Sequence, residues 1–336
     1  YPAKRHGRQA VGDMAYYGGP SAAPTYDAAT GYLYTLNTDG DLRCWSTREN
    51  GKAVWQLNLY ERYQMPRRPA VARSGQRDYG YTTAPLRLGD DLLVEAGGNA
   101  GLVVALDPRT GEPRWASKAK GWAGHSGGLT PITVGQIPCV AVLALQALVV
   151  IRLDEGHRGE TLHEYPYETQ FANSLAQPVG VGSSLLISSG FNQNQTIRLD
   201  LTPEKLTQRW VSKEVAGVHP PVVHNGSVYV TGKRLACLDW ETGATRWSKG
   251  FGGPAGSMIM TADERLVVFG NKGDLMLVEG AKRSPTEAKI LAEKRNLFKR
   301  EAWPYLAMSS GYLVLKDRGG NLATYALTPP TARPAP

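Results

Sequence analysis

An all-β fold is predicted for this chain, a β-propeller of four-stranded antiparallel blades, and three observations predict it. A ten-residue motif recurs along the chain, hairpin turns separate short apolar strands throughout, and no stretch carries a convincing amphipathic helix. The motif is clearest in Leu106-Asp107-Pro108-Arg109-Thr110-Gly111-Glu112-Pro113-Arg114-Trp115 and Leu238-Asp239-Trp240-Glu241-Thr242-Gly243-Ala244-Thr245-Arg246-Trp247, where Asp, Thr-Gly and Trp keep identical offsets. A looser copy ends at Gly51 and Trp55, and degenerate copies run from Leu153-Asp154 to Tyr165 and from Leu199-Asp200 to Trp210.

The motif has a physical reading. Asp107 and Asp239 open a turn by accepting backbone amides, and Gly111 and Gly243 supply the positive φ that the turn needs. Trp115 and Trp247 follow on the next strand, where a large ring can wedge between neighbouring units, so both are expected to be mostly buried.

Upstream of each such turn the pattern repeats. The predicted strands are 23–27, 32–37 and 40–45 in the first unit, then 83–88, 92–96 and 102–106 in the second. The third unit has 129–134, 139–145 and 147–153, and the fourth 175–181, 184–188 and 196–199. The fifth has 219–224, 227–231 and 234–238, the sixth 257–262, 265–269 and 273–279, and the seventh 305–309, 312–316 and 321–327. Turns such as Gly89-Asp90, Asn225-Gly226 and Asp263-Glu264 join the first two strands. Seven units share 336 residues, about 48 each, which is room for four strands. The nearest thing to a helix, 285–300, falls where a fourth strand belongs.

The seventh unit stops after three strands. Either residues 1–17 close the ring by supplying the fourth, or the chain lacks a blade of its parent protein, so the intact molecule has seven or eight blades. The propeller is expected over 18–328, followed by a proline-rich tail, 329–336.

Composition narrows the classes. The chain has 38 glycines and 22 prolines, rich in turns, and 42% hydrophobic residues, enough for a sizeable core. Its longest apolar run, 140–151 with Gln146 inside it, is too short to span a bilayer. The opening Tyr1-Pro2-Ala3-Lys4-Arg5 is no signal peptide, as expected of a cytosolic protein or of a mature or trimmed form. Cys44, Cys139 and Cys237 stand singly, which excludes a disulfide framework and a thiolate zinc site of ordinary spacing. The net charge of +8 is spread along the chain, so no nucleic-acid partner is expected.

The Leu-Asp-x-x-Thr-Gly-x-x-x-Trp units resemble the repeats of the PQQ-like β-propeller superfamily, which includes pyrroloquinoline-quinone alcohol dehydrogenases and the assembly lipoprotein BamB; the likeness covers about residues 18–328. Segments 19–24 and 35–42 look like the uncharacterised bacterial PQQ-binding-like repeat proteins. The resemblance implies an exported, periplasmic protein, and a further blade ahead of Tyr1 in the parent. In the dehydrogenases the quinone lies between a Trp and a disulfide of adjacent cysteines, beside a calcium held by carboxylates and an Asn. This chain has no adjacent cysteines, so no catalytic residue, metal ligand or cofactor is assigned, and PQQ with calcium belongs only to the alternative reading of an oxidoreductase acting on alcohols or sugars.

Two surfaces remain as candidates for binding. The loops leading into the innermost strands carry Tyr79, Tyr81, His125, Ser126, Asn173, His219, Ser257 and Trp303, polar and aromatic residues that would converge on a funnel. The bland account is that they tie the loops together and bind channel water. The longest insertion, 59–81, carries Arg62, Arg67, Arg68, Arg73 and Arg77 among tyrosines, a composition that suits a docking surface as well as a solvated loop. No glycine-rich phosphate loop or nucleophile elbow is present. The expectation is a binding or assembly module with a protein partner or a small ligand.

Overall fold

The computed structural model describes residues 22–65, 80–122, 128–169, 174–191, 193–250, 256–270 and 273–327. The chain divides into two compact units, Tyr1–Lys213 and Glu214–Pro336. The first holds four sheets, spanning 25–58, 86–116, 130–166 and 179–212; the second holds three, spanning 222–250, 256–294 and 307–326. Each is an antiparallel meander of four strands, except the last, which has three among the described residues. The fold is therefore a β-propeller with seven blades, almost without helix: Leu59–Arg62 makes one α-helical turn, capped by the Asn58 side chain. Segment 285–300 does supply a fourth strand, Ile290–Lys294. Residues 1–17 and 329–336, for which a closing strand and a tail were expected, lie outside the described residues.

Most strands fall within a residue or two of the sequence reading, but the first strand of several sheets begins later. Thr25–Asp27, Leu86–Leu88, Val179–Val181 and Val222–His224 each start directly after a proline, at 24, 85, 178 and 221. Proline has no amide to give a ladder, so pairing starts one residue beyond it. The proline carbonyls are used instead. Thr25 Oγ1 donates to Pro85 O, and Thr130 Oγ1 donates to Pro178 O at 2.6 Å, each stitching one sheet to the next within the first unit.

The core lies between neighbouring sheets. Third strands such as Val103–Leu106 and Ala147–Arg152 are buried almost throughout, because a sheet covers each face; fourth strands such as Pro113–Ala116 are mostly exposed. In the second unit Tyr229, Cys237, Trp247, Leu266, Val268 and Met276 form one buried cluster between sheets five and six.

The motif turns match each other atom for atom. Asp107 Oδ1 accepts the amides of Arg109 and Thr110 at 2.8 and 3.2 Å, and Asp239 Oδ1 accepts those of Glu241 and Thr242 at 3.0 and 2.9 Å. Gly111 and Gly243 sit at φ +75° and +71°. A side chain at Gly111 would meet the Trp55 ring at 2.8 Å, because that ring covers the turn of the next sheet and donates from Nε1 to Pro108 O at 3.0 Å.

The motif holds one further member that the sequence reading missed. Arg246 clamps Asp239 at 2.6 Å and also bonds Gly226 O and Ser227 Oγ at the neighbouring hairpin turn; Arg114 clamps Asp107 and bonds Asp90 O in the same way. The Arg246 hydrogen bond is the largest cause that holds the Asp239 carboxyl at about 2. A free aspartate titrates near 4, so the clamp is intact above about pH 4 and is lost as pH falls toward 2. Arg246→Gln is expected to flatten the acid limb of the stability curve. Urea midpoints at about pH 5, 3 and 2 check it, and an unchanged limb would remove the clamp from acid unfolding.

A β-bulge also recurs in all six four-stranded sheets, between the third and fourth strands. The residue opposite the last regular pair is Trp55, Trp115, Trp210 or Trp247 in four of them. In sheet three the register puts His163 there rather than Tyr165, and in sheet six Ala292. Trp247 is 5% exposed, whereas Trp115 is only half-buried. Trp115 turns its Nε1 to Asp91 Oδ2 at 2.8 Å, toward the solvent end of the sheet.

Candidate functional site

In a meander the first and third turns share one end of the sheet, while the second turn and the loop to the next sheet share the other. The residues expected around a funnel belong to the loop end. In the first unit Tyr79, His125, Ser126 and Asn173 lie outside the described residues. Tyr81 is buried; its hydroxyl donates to Ala96 O at 2.9 Å and its ring lies 5.0 Å from that of Tyr60.

In the second unit the structure brings His219, Ser257 and Trp303 together around the segment that leads into sheet seven. His219 is 2% exposed, with its ring 4.5 Å from Tyr305 and perpendicular to it. Burial pulls its imidazole down to about 4, and hydrogen bonds to the backbone of Trp303 and Gly256 offset this only in part. Ser257 Oγ accepts the Leu306 amide at 3.0 Å. The Trp303 ring stacks under the Arg318 guanidinium at 4.2 Å, and Arg318 pairs with Glu301. These groups hold backbone and one another, so the cluster anchors a loop.

The first unit has open cavities at both ends of its sheets. At the turn end a cleft of about 860 Å³ runs past sheets two, three and four, lined by Leu88, Asp91, Arg114, Ile132, Cys139 and Gly182 among others. Arg114 ties up Asp91 at 3.2 Å, and burial pushes the Cys139 thiol up to about 11, so neither is an activated group. The loop end has a smaller cavity, about 460 Å³, beside Trp122, Gln146, Glu164 and Glu168. Sequence reasoning looked to the loop end because ligating residue types gather there; the roomier space at the turn end is made by small turn residues, Gly89, Gly135 and Gly182, which carry no chemical signal.

Of the basic insertion, Arg67, Arg68, Arg73 and Arg77 lie outside the described residues. Arg62 is described, and it pairs with Glu112 at 2.6 Å, tying the insertion to the motif turn of sheet two.

Sheet seven presents a surface that the sequence reading did not single out. Its inner face packs on sheet six, with Leu313, Leu315, Ala323 and Tyr325 against Phe269 and Leu275. The opposite side exposes Tyr312 (52%), paired with Ala326 at one end of the ladder, and Leu322 (63%), paired with Lys316 at the other; with Tyr305 and Leu327, half of the large exposed apolar side chains among the described residues lie between 305 and 327. Isolated exposed apolar residues are ordinary; their gathering in one segment makes this side of sheet seven a candidate surface.

Cys44, Cys139 and Cys237 are free and buried in three different sheets, with thiols pushed up to about 12, 11 and 11 by burial. Among the described residues no three His, Cys, Asp or Glu side chains are placed to hold a metal ion. No helix among the described residues is long and apolar enough to cross a membrane.

A family model described as outer membrane protein assembly factor BamB matches residues 8–249 and again 201–283. Among solved structures, BamB from Moraxella catarrhalis is similar with a TM-score of 0.62 at 14% identity, covering 91% of this chain and 85% of that one. The C-terminal WD40 domain of Sif2 is similar with a TM-score of 0.60 at 10% identity, covering 93% and 82%. Quinohemoprotein alcohol dehydrogenase from Comamonas testosteroni is similar with a TM-score of 0.57 at 13% identity, covering 85% of this chain and 61% of that one. No curated protein matches the chain in sequence. At these identities the structural likenesses establish the fold.

Proposed function

The chain belongs to the PQQ-like propeller family whose model carries the BamB description, and from that premise we propose that it is a non-catalytic docking module that holds a protein partner in the cell envelope. The observation that carries this reading is the outer side of sheet seven, which exposes Tyr312 at one end and Leu322 at the other. Aromatic and aliphatic side chains that stay in water in the free chain gain most when a partner covers them. In this reading the protein is exported and periplasmic, and the insertion with Arg67, Arg68, Arg73 and Arg77 supplies the charge that steers an acidic partner. It works without pyrroloquinoline quinone or calcium.

A photo-crosslinking amino acid at Tyr312, compared with one at Lys52 on another sheet, tests the reading in native envelope extract. Discrete protein adducts are expected from position 312 and not from 52. Equal labelling at both, or none at 312, would count against a docking surface. Adding the quinone with calcium is expected to give no dye-linked oxidation of alcohols or sugars. Robust turnover would transfer the chain to the oxidoreductase reading.

A further inference from the structure

We propose that the outer rim of sheet six, residues 282–300, is a peripheral membrane surface that rests on a bilayer of anionic phospholipid. It stands apart from the docking reading above: other residues carry it and another measurement tests it.

The observation is a departure of sheet six from the repeat. In sheets two and five the residue that opens the motif turn, Asp107 or Asp239, donates its amide across the turn to Glu112 O or Ala244 O, both at 2.8 Å. Glu279 N–H makes the same bond to Lys289 O at 3.0 Å, so the turn of sheet six, 280–288, is five residues longer than 108–111 and 240–243. The longer turn presents Lys282 and Arg283, both exposed. The bulge that follows passes over Leu291, as it passes over Arg114 and Arg246 in the other two sheets. Those arginines fold back onto the aspartate of their own turn. Leu291 has no such partner to reach, and it stands 39% exposed on the outermost strand.

Cations flank it on both sides. Segment 282–300 holds seven Lys or Arg against two Glu, in a chain whose net charge is +8, and all seven are exposed. Lys289 is paired with Glu279 at 3.2 Å and Arg295 with Glu293 at 2.7 Å. Lys282 comes only within 3.7 Å of Glu264, and Lys294 and Lys299 form no ion pair among the described residues.

This chemistry favours lipid over a folded acidic partner. The carboxylates of a folded protein are fixed, and planar guanidinium groups held in place meet them best. Lys294 and Lys299 instead end in flexible ammonium groups, which suit phosphates that move to meet them. Each such cation strengthens binding to an anionic bilayer by about fivefold. Leu291 adds an apolar group for the head-group boundary, with the lysines beside it reaching back to the phosphates. The fourth strand of a blade is also its rim, which a flat surface can touch along its whole length.

The test is sedimentation of the full chain with vesicles of pure phosphatidylcholine or of an equal mixture with phosphatidylglycerol, at low and high salt. Binding is expected to the anionic vesicles alone, with release by salt. Lys294→Gln combined with Lys299→Gln should weaken it about thirtyfold. Lys205→Gln combined with Lys249→Gln, the same charge change on sheets four and five, should leave it nearly unchanged. Melting of both variants should match the parent, since these side chains are exposed. Leu291→Cys carrying a polarity-sensitive dye should shift to the blue on the anionic vesicles, while the buried native cysteines stay unlabelled. Val54→Cys, at the matching bulge of sheet one and also 39% exposed, should not shift. No binding to the anionic vesicles, equal binding to the neutral ones, equal loss in the two lysine pairs, or an unshifted dye at 291 each overturns the proposal. Tighter binding to polyglutamate than to vesicles of equal charge overturns it too, and assigns the rim to an acidic polypeptide.

Discussion

Trp247→Ala is expected to destabilise the second unit by about 3–5 kcal/mol, the cost of removing a buried aromatic and leaving a cavity. The ring is buried among Tyr229, Cys237, Leu266 and Val268, and its centre lies 6.0 Å from that of Tyr229, so few neighbours can collapse into the space. Trp115→Ala, at the same register position in sheet two, is expected to cost distinctly less, because that ring is half-buried and retains a polar contact with Asp91. Urea unfolding followed by fluorescence and circular dichroism compares the two. Equal losses would mean that the rings are structurally interchangeable, against the burial difference.

The second large effect is a pH dependence carried by His219. Its folded-state pKa, about 4, lies below the ordinary value near 6.5, since burial penalises the imidazolium. The unfolded chain therefore takes up a proton before the folded one does, and stability falls as pH drops from about 6.5 to about 4. Above that window the contribution is constant and below it the loss is complete. A displacement of this size corresponds to about 3 kcal/mol. His219→Asn keeps a polar group near the carbonyl of Trp303 but does not titrate, so its stability should be nearly flat over the same window. Urea unfolding at closely spaced pH values from about 7 to 4 decides it, and a wild-type curve that parallels the Asn variant would show that His219 is not the group responsible.

The two predictions differ in how much of their basis was visible beforehand. The motif that contains Trp247 was legible because its signals are local: Asp239, Thr242 and Gly243 build a turn within five residues. The bulge that sets the ring's direction was not legible, since it is a mismatch between two strands and neither strand alone encodes it. The proline boundaries at Pro24, Pro85, Pro178 and Pro221 are written in the sequence, but the apolar pattern runs through them and masks where pairing starts. His219 and Ser257 were picked out as residue types that could bind a ligand. Their bonds to the segment 303–306 are contacts between distant parts of the chain, which no local pattern encodes.

The sequence by itself determined the repeat, the number of units, the hairpins and the motif turns, because turn chemistry and strand alternation act over a few residues and survive whatever the rest of the chain does. It also determined that the cysteines are too far apart to form a vicinal pair. Tertiary structure alone decided which aromatic rings are covered, that Arg62 is tied to Glu112, and that the roomy cleft lies at the turn end. Burial and edge pairing depend on what packs against a residue from elsewhere, and the pattern of Leu322–Ala326 reads the same whether or not another strand lies beside it.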